Sequence, residues 1–164
     1  MTIAQSQKKQ RIFDNEKNVV GYVNRYYKNP IEKALCYLGL NNLITNVKVE
    51  DNHGQTKVLF EMSSSLIALK TTWRVTIYND TEETFELRQV PKIGFSKNFE
   101  FIKNNRLYTV SDRTIGIEPH FYDDQGNLLA KCLDSLGKEK EIYIHSEELD
   151  PYFVWGICCL VSLL

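Results

Sequence analysis

Residues 152–164, Tyr-Phe-Val-Trp-Gly-Ile-Cys-Cys-Leu-Val-Ser-Leu-Leu, decide how the rest of this chain is interpreted. None of them is charged, and the preceding Ser146-Glu147-Glu148-Leu149-Asp150-Pro151 has the cap, acidic residues and proline that start a helix. A helix of this length reaches about 20 Å, whereas the hydrocarbon core of a bilayer is about 30 Å thick. We therefore predict a buried core helix and no transmembrane span.

A helix that is apolar on every side needs apolar neighbours on every side, and a curved sheet would supply them. Clusters of Asp, Asn and Gly between apolar runs predict four hairpins, near residues 14–18, 51–54, 79–80 and 123–127. Four such units favour an antiparallel meander, sandwich or barrel.

Alternation of apolar and polar residues supports this class. Trp73, Val75 and Ile77 alternate with polar neighbours, as in a strand with one buried face. The pattern predicts strands at 11–14, 18–26, 43–50, 56–62, 66–70, 72–78, 84–90, 98–103, 106–110, 115–122, 127–133 and 140–145. The fold class is therefore mainly β (α+β).

One short helix is predicted near 30–39, where Asn29 can cap, Pro30 suits the first turn and Gly39 can end it. Ile31, Ala34, Leu35 and Leu38 give it one apolar stripe. Residues 1–10 are polar and typical of a disordered terminus, and 11–164 read as a single domain.

Composition excludes some classes. The chain has 164 residues, 43% hydrophobic, and a net charge of −1, which excludes a disordered protein and argues against a dedicated nucleic-acid binder. Residues 1–10 hold no apolar secretory run, so we expect a cytoplasmic protein with reduced cysteines. Cys36, Cys132, Cys158 and Cys159 are interpreted as small buried side chains, with acylation of Cys158 or Cys159 as the alternative.

No catalytic, metal or cofactor site is predicted. His53, His120 and His145 do not lie at ligand spacing from another His or Cys. Residues 14–18 faintly resemble a calcium loop, but Val19 stands where that loop needs glycine, so a turn is favoured.

Basic residues along the middle of the chain give one candidate binding surface. Arg74, Arg88, Lys92 and Lys97 could gather into an anion-binding patch on the outer face of the sheet. The alternative is an ordinary solvated face, balanced by Glu82, Glu83, Glu86 and Glu100. The segment 25–28, Arg-Tyr-Tyr-Lys, could also touch headgroups or nucleotides, and tyrosine faces on a strand explain it equally well.

Three features together resemble the tubby C-terminal-like superfamily, which includes LURP-one-related proteins and phospholipid scramblases. They are Gly-Tyr-Val-Asn-Arg-Tyr-Tyr-Lys-Asn at 21–29 before a short helix, the hairpin at 121–127, and Glu-Leu-Asp-Pro at 148–151 before the apolar tail. The likeness covers nearly the whole chain after residue 10 and is closest to small bacterial members. It implies a barrel of about twelve strands enclosing the C-terminal helix.

The resemblance also implies a function. It suggests a non-enzymatic module that binds an anionic lipid headgroup or a protein partner at the cytoplasmic face of the membrane. The alternatives are a soluble interaction scaffold and an enzyme holding its ligand inside the barrel. Phe153, Trp155 and two cysteines depart from the Ala- and Leu-rich tails of the family, and neither its phosphoinositide-binding residues nor the scramblase calcium segment has a counterpart here.

Overall fold

The computed structural model describes residues 9–37, 45–63, 71–90, 98–112, 118–135 and 139–164. Within these ranges eleven strands and two helices follow one another. They are β1 (Gln10–Phe13), β2 (Val19–Tyr26), α1 (Pro30–Tyr37), β3 (Asn46–Asp51), β4 (Thr56–Met62), β5 (Thr72–Tyr78), β6 (Glu82–Val90), β7 (Asn98–Lys103), β8 (Arg106–Asp112), β9 (Pro119–Tyr122), β10 (Leu128–Ser135), β11 (Glu139–Ile144) and α2 (Pro151–Leu163).

The strands form one antiparallel sheet in chain order, from β1 to β11. The mainly-β meander predicted from the sequence is confirmed. The implied barrel is not formed by the described residues, because β1 pairs only with β2 and β11 only with β10, which leaves the sheet open. The strand expected at 66–70 lies outside the described residues, and β9 begins at Pro119, four residues after the predicted start at 115.

Because consecutive strands are antiparallel, successive connections alternate between the two ends of the sheet. The turns after β1, β3, β5, β7 and β9 lie at one end, together with the start of α2. We call this the turn end. The connection from β2 to β3, which contains α1, lies at the other end.

Three turns at the turn end share one geometry. They begin at Asp14, Asp51 and Asp123, and each carboxylate accepts bonds of 2.8 to 3.0 Å from the amides two and four residues later. The fourth residue of each turn has a positive φ: 65° at Lys17, 81° at Gly54 and 82° at Gly126. The turn interpretation of residues 14–18 is therefore confirmed.

The buried face of the sheet follows the predicted alternation. Trp73, Val75 and Ile77 of β5 are buried, whereas Arg74 between them is exposed. The indole nitrogen of Trp73 donates a 2.7 Å bond to the carbonyl oxygen of Thr45, so its one polar atom is satisfied inside the core.

The predicted C-terminal helix is confirmed as α2. The Asp150 carboxylate caps it by accepting a 3.0 Å bond from the Phe153 amide, and Pro151 occupies the first turn. Residues of α2 contact β2, β3 and β4 as well as β9 and β11. A flat sheet of eleven strands would be about 48 Å wide, several times the diameter of a helix. The sheet must therefore curve around α2.

Phe153 of α2 packs against four other aromatic rings of the described core. Its centroid lies 5.8 Å from that of Phe60, 5.5 Å from Phe85, 5.1 Å from Phe101 and 6.5 Å from Phe121. These partners come from β4, β6, β7 and β9, so one side chain of α2 connects strands across most of the sheet.

Candidate functional site

A groove crosses the sheet beside the start of α1. Its lining residues come from the segment before α1 and from β4, β5 and β6: Lys28, Glu61, Met62, Ser63, Arg74, Thr84, Phe85 and Glu86. It combines cations, carboxylates and hydroxyls, whereas the side chains of Met62 and Phe85 pack against the core.

Arg74 lies in this groove without an ion-pair partner among the described residues. Its neighbours across the sheet are Glu61 on β4 and Glu86 on β6. Both carboxylates lie near other cations: Lys28 Nζ is 3.6 Å from Glu61 Oε1, and Arg88 Nη2 is 3.2 Å from Glu86 Oε1. The exposed guanidinium of Arg74 is therefore available to an anion from solvent.

Tyr26 further engages Glu61. Its hydroxyl donates a 2.9 Å bond to Glu61 Oε1, and burial together with this carboxylate raises the pKa of Tyr26 well above its usual range. The phenol stays protonated at neutral pH and remains a donor. With Tyr26 and Lys28 both at Glu61, this carboxylate competes less for Arg74.

The structure brings together part of the predicted anion patch. Arg74 and Arg88 both lie on the outer face, on adjacent strands and two register positions apart. Lys92 and Lys97 lie outside the described residues, so their membership stays a prediction. The Arg88–Glu86 pair matches the alternative of a balanced, solvated face, which also fits the 3.0 Å pair between Lys103 and Glu83.

Sequence reasoning did not place Lys28 and Arg74 in the same groove. The two residues were noticed in separate segments, and both line the groove beside Glu61 of β4. A local pattern carries no signal of this arrangement, since it depends on the register of β4 with β5.

The helix α1 stands at the rim of this groove with its polar side towards the sheet. Asn29 Oδ1 caps it by accepting a 2.9 Å bond from the Glu32 amide. Glu32 Oε2 accepts bonds from the Lys28 amide at 2.8 Å and from Asn46 Nδ2 of β3 at 2.9 Å. Glu32 therefore ties α1 to both the groove and the sheet. The predicted helix is confirmed to Tyr37, and residues 38 and 39 lie outside the described residues.

A second charged cluster has a structural role. Nη1 of Arg106 on β8 donates to both carboxylate oxygens of Glu148, at 3.0 and 3.1 Å, and Nη2 lies 3.4 Å from Asp124 Oδ1. The Tyr108 hydroxyl donates a 3.0 Å bond to the same Glu148. This cluster holds the segment before α2 against two turns.

Other candidate groups stay apart. His53 and His145 are exposed, while His120 lies edge-on to Tyr122 on β9. Across the described ranges no group of three His, Cys, Asp or Glu side chains could hold a metal ion. Cys132, Cys158 and Cys159 are buried, as predicted, and the side chain of Cys36 lies outside the described part.

In the described part of the chain, neither helix has the length and apolar character needed to cross a membrane. Acylation of Cys158 or Cys159 would require α2 to leave the core, since both thiols are buried there.

Comparison with known proteins agrees with this architecture. No curated protein and no solved structure matches the chain significantly. A family model described as the Tubby C-terminal like domain matches residues 2–164, which is nearly the whole chain. The resemblance at residues 21–29, 121–127 and 148–151 is thereby confirmed. The chain belongs to the family of Tubby C-terminal like domains.

Proposed function

We propose that this domain is a binding module for an anionic lipid headgroup, with the headgroup phosphate held by Arg74 in the groove. The observation that carries this proposal is the exposed Arg74 guanidinium, whose two carboxylate neighbours lie near other cations. A planar guanidinium matches two phosphate oxygens in a bidentate contact, which a lysine cannot make.

The rest of the groove suits the same ligand. Lys28 supplies a second positive charge, and the Ser63 and Thr84 hydroxyls can donate to phosphate oxygens. Arg88, Lys92 and Lys97 belong to the proposal as outer cations that strengthen attraction to an anionic surface.

The proposal places the protein at the cytoplasmic face of a membrane as a peripheral component. With a net charge of −1, attraction to an anionic bilayer must come from a local surface, and the groove offers one. The rival hypothesis of an enzyme with its ligand inside a barrel needs an internal cavity. Phe153, Ile157 and Leu160 of α2 are buried against the sheet where that ligand would lie.

Flotation with lipid vesicles tests the function. We expect the protein to bind vesicles of phosphatidylcholine mixed with phosphatidylglycerol and not to bind vesicles of pure phosphatidylcholine. Added salt should release the bound protein, because it screens the charges. Arg74→Gln should weaken binding by at least about tenfold, since a charge-assisted hydrogen bond contributes about 1.5–3 kcal/mol.

Lys131→Gln on β10 is the matched control, because it removes the same charge far from the groove. Equal weakening by both variants would mean that only total charge matters and would remove the groove from the proposal. Failure to bind either vesicle would remove the lipid function and leave the protein-interaction scaffold.

A further inference from the structure

The helix α1 exposes two large apolar side chains to solvent, unlike an ordinary surface helix, which buries its apolar stripe. Leu35 is the half-buried member of the predicted stripe. Ile31 is 70% exposed and Tyr37 is 69% exposed, and Ala34 between them is exposed too. At about 100° per residue these three lie on one side of the helix, with Lys33 at the edge. Glu32 faces the sheet, where it bonds Asn46.

This apolar surface is continuous with the anion groove. Lys28 lines the groove, and its amide bonds the Glu32 carboxylate within the first turn of α1. Ile31 follows Lys28 by three residues, so the exposed side of α1 begins within about one helical turn of the groove. A ligand that fills both surfaces needs an anionic group next to an apolar body.

The charge at the turn end gives the orientation. Acidic side chains outnumber basic ones at the turn end, which carries Asp14, Glu16, Asp51, Asp80, Asp123, Asp124, Glu147, Glu148 and Asp150. An anionic surface repels that end. The connection that contains α1 lies at the opposite end, so the molecule can approach such a surface with α1 and the groove first.

We propose that α1 is the membrane-contacting element of this domain. Ile31 and Tyr37 enter the interfacial region of an anionic bilayer while Arg74 and Lys28 hold a lipid phosphate. The inference rests on the proposed function and specifies the source of the anion, a lipid in a bilayer instead of a free phosphate. A helix of eight residues, about 12 Å long, lies in the plane of the interface and does not span it. Tyrosine is enriched at this depth.

Two binding measurements on the same full-length variants distinguish the contribution of α1 to binding from that of the groove. Binding to phosphatidylglycerol-containing vesicles reports on both, whereas titration with inorganic phosphate, followed by amide chemical shifts, reports on the groove alone. Ile31→Gln and Tyr37→Gln should each lower vesicle affinity about fivefold or more and leave phosphate binding unchanged. Arg74→Gln should lower both.

Ile102→Gln is the matched control, because Ile102 is also an exposed isoleucine, 62% accessible, but lies beside the β7–β8 turn at the turn end. It should leave vesicle affinity unchanged.

Three outcomes would contradict one or both proposals. If Ile31→Gln and Tyr37→Gln behave like this control while Arg74→Gln weakens vesicle binding, the inference fails and the proposed function stands. If wild type binds phosphate but no vesicles, the groove is a site for a free anion, and the inference fails again. If Arg74→Gln changes neither measurement, the proposed function fails as well.

Fluorescence gives a direct reading of insertion. Ile31→Trp places an indole on the exposed side of α1, and its emission should shift to the blue on anionic vesicles and be quenched by brominated lipid. Ile102→Trp should show neither change. An unshifted Ile31→Trp on vesicles that do bind the protein would overturn the insertion of α1.

Discussion

Gly156 of α2 lies directly against the ring of Phe60 on β4. A Cβ placed on Gly156 would overlap this ring, coming within 2.6 Å of Phe60 Cζ, where ordinary van der Waals contacts are 3.4–4 Å. Phe60 cannot turn away freely, because it stacks on Phe153 with the ring planes 13° apart. The contact between the Gly156 backbone of α2 and the Phe60 ring of β4 therefore depends on the absence of a side chain at residue 156.

Replacing Gly156 with alanine should destabilise the domain. Overpacking of a core costs about 1–3 kcal/mol, and this exceeds the gain of up to about 1 kcal/mol that alanine gives a helix. The free energy of unfolding from urea titration measures the difference. In the double variant with Phe60→Leu the loss should be smaller than the sum of the two single losses. Additive losses would contradict a direct contact.

Replacing Lys17 with glycine should stabilise the domain. Lys17 holds a φ of 65°, whereas the equivalent residues of the two matching turns are Gly54 and Gly126. A side chain in this region costs about 1–2 kcal/mol, of which part is regained by the lower flexibility of the unfolded chain. We expect a net gain of about 0.5–1 kcal/mol in urea unfolding. Gly126→Ala is the reverse experiment and should lose about as much.

Acid should weaken the turn end. The pKa of Asp123 is lowered from 3.8 by hydrogen bonds from the Asn127 side chain and from turn amides, and that of Asp14 by the Asn18 amide. Since the folded pKa values are depressed, these carboxylates contribute stability fully above about pH 4, and the contribution is lost as the pH falls through the folded values.

Unfolding measured against pH tests this link. The free energy of unfolding should fall below about pH 4, and Asp123→Asn should reduce the slope there, because its amide oxygen can accept the two bonds from the turn amides without titrating. An unchanged slope in this variant would assign the acid sensitivity to other groups.

Removing α2 by ending the chain after Asp150 should abolish the cooperative fold. Val154, Ile157 and Leu160 are completely buried, and each such side chain contributes about 1.5–3 kcal/mol on burial. The loss is a large part of the stability of an ordinary domain. Near-ultraviolet circular dichroism and the urea transition report it. Ile157→Ala is the milder variant, with an expected loss of about 2–5 kcal/mol. A folded truncation product would mean that the sheet does not need its helix.

Local patterns predicted most of the fold, because the forces that set these elements are local. Asp14, Asp51 and Asp123 bond amides within four residues, and Asp150 caps α2 through an amide three residues away. The alternation of Trp73 with its neighbours likewise depends only on the pleat of one strand.

Contacts between distant segments were not predictable in the same way. The stripe of Ile31 and Ala34 predicts a helix, but the side that faces the sheet is set by the Glu32–Asn46 bond. The groove likewise depends on register, which brings Lys28 and Arg74 on either side of Glu61. Closure of the sheet is also a long-range property, and this is where the expected barrel and the observed open sheet differ.

The uninterrupted strand order has a kinetic consequence. Every described strand pairs with its neighbour in the chain, so apart from the β2–β3 connection, which contains α1, pairing needs only short loop closures, which are fast. The helix α2 follows all the described strands, yet it packs on β3 and β4. During synthesis the growing sheet therefore exposes its apolar face until α2 docks, and in that interval it is open to aggregation or to chaperone capture. The segment that completes the core is also the one that ends this vulnerable stage of folding.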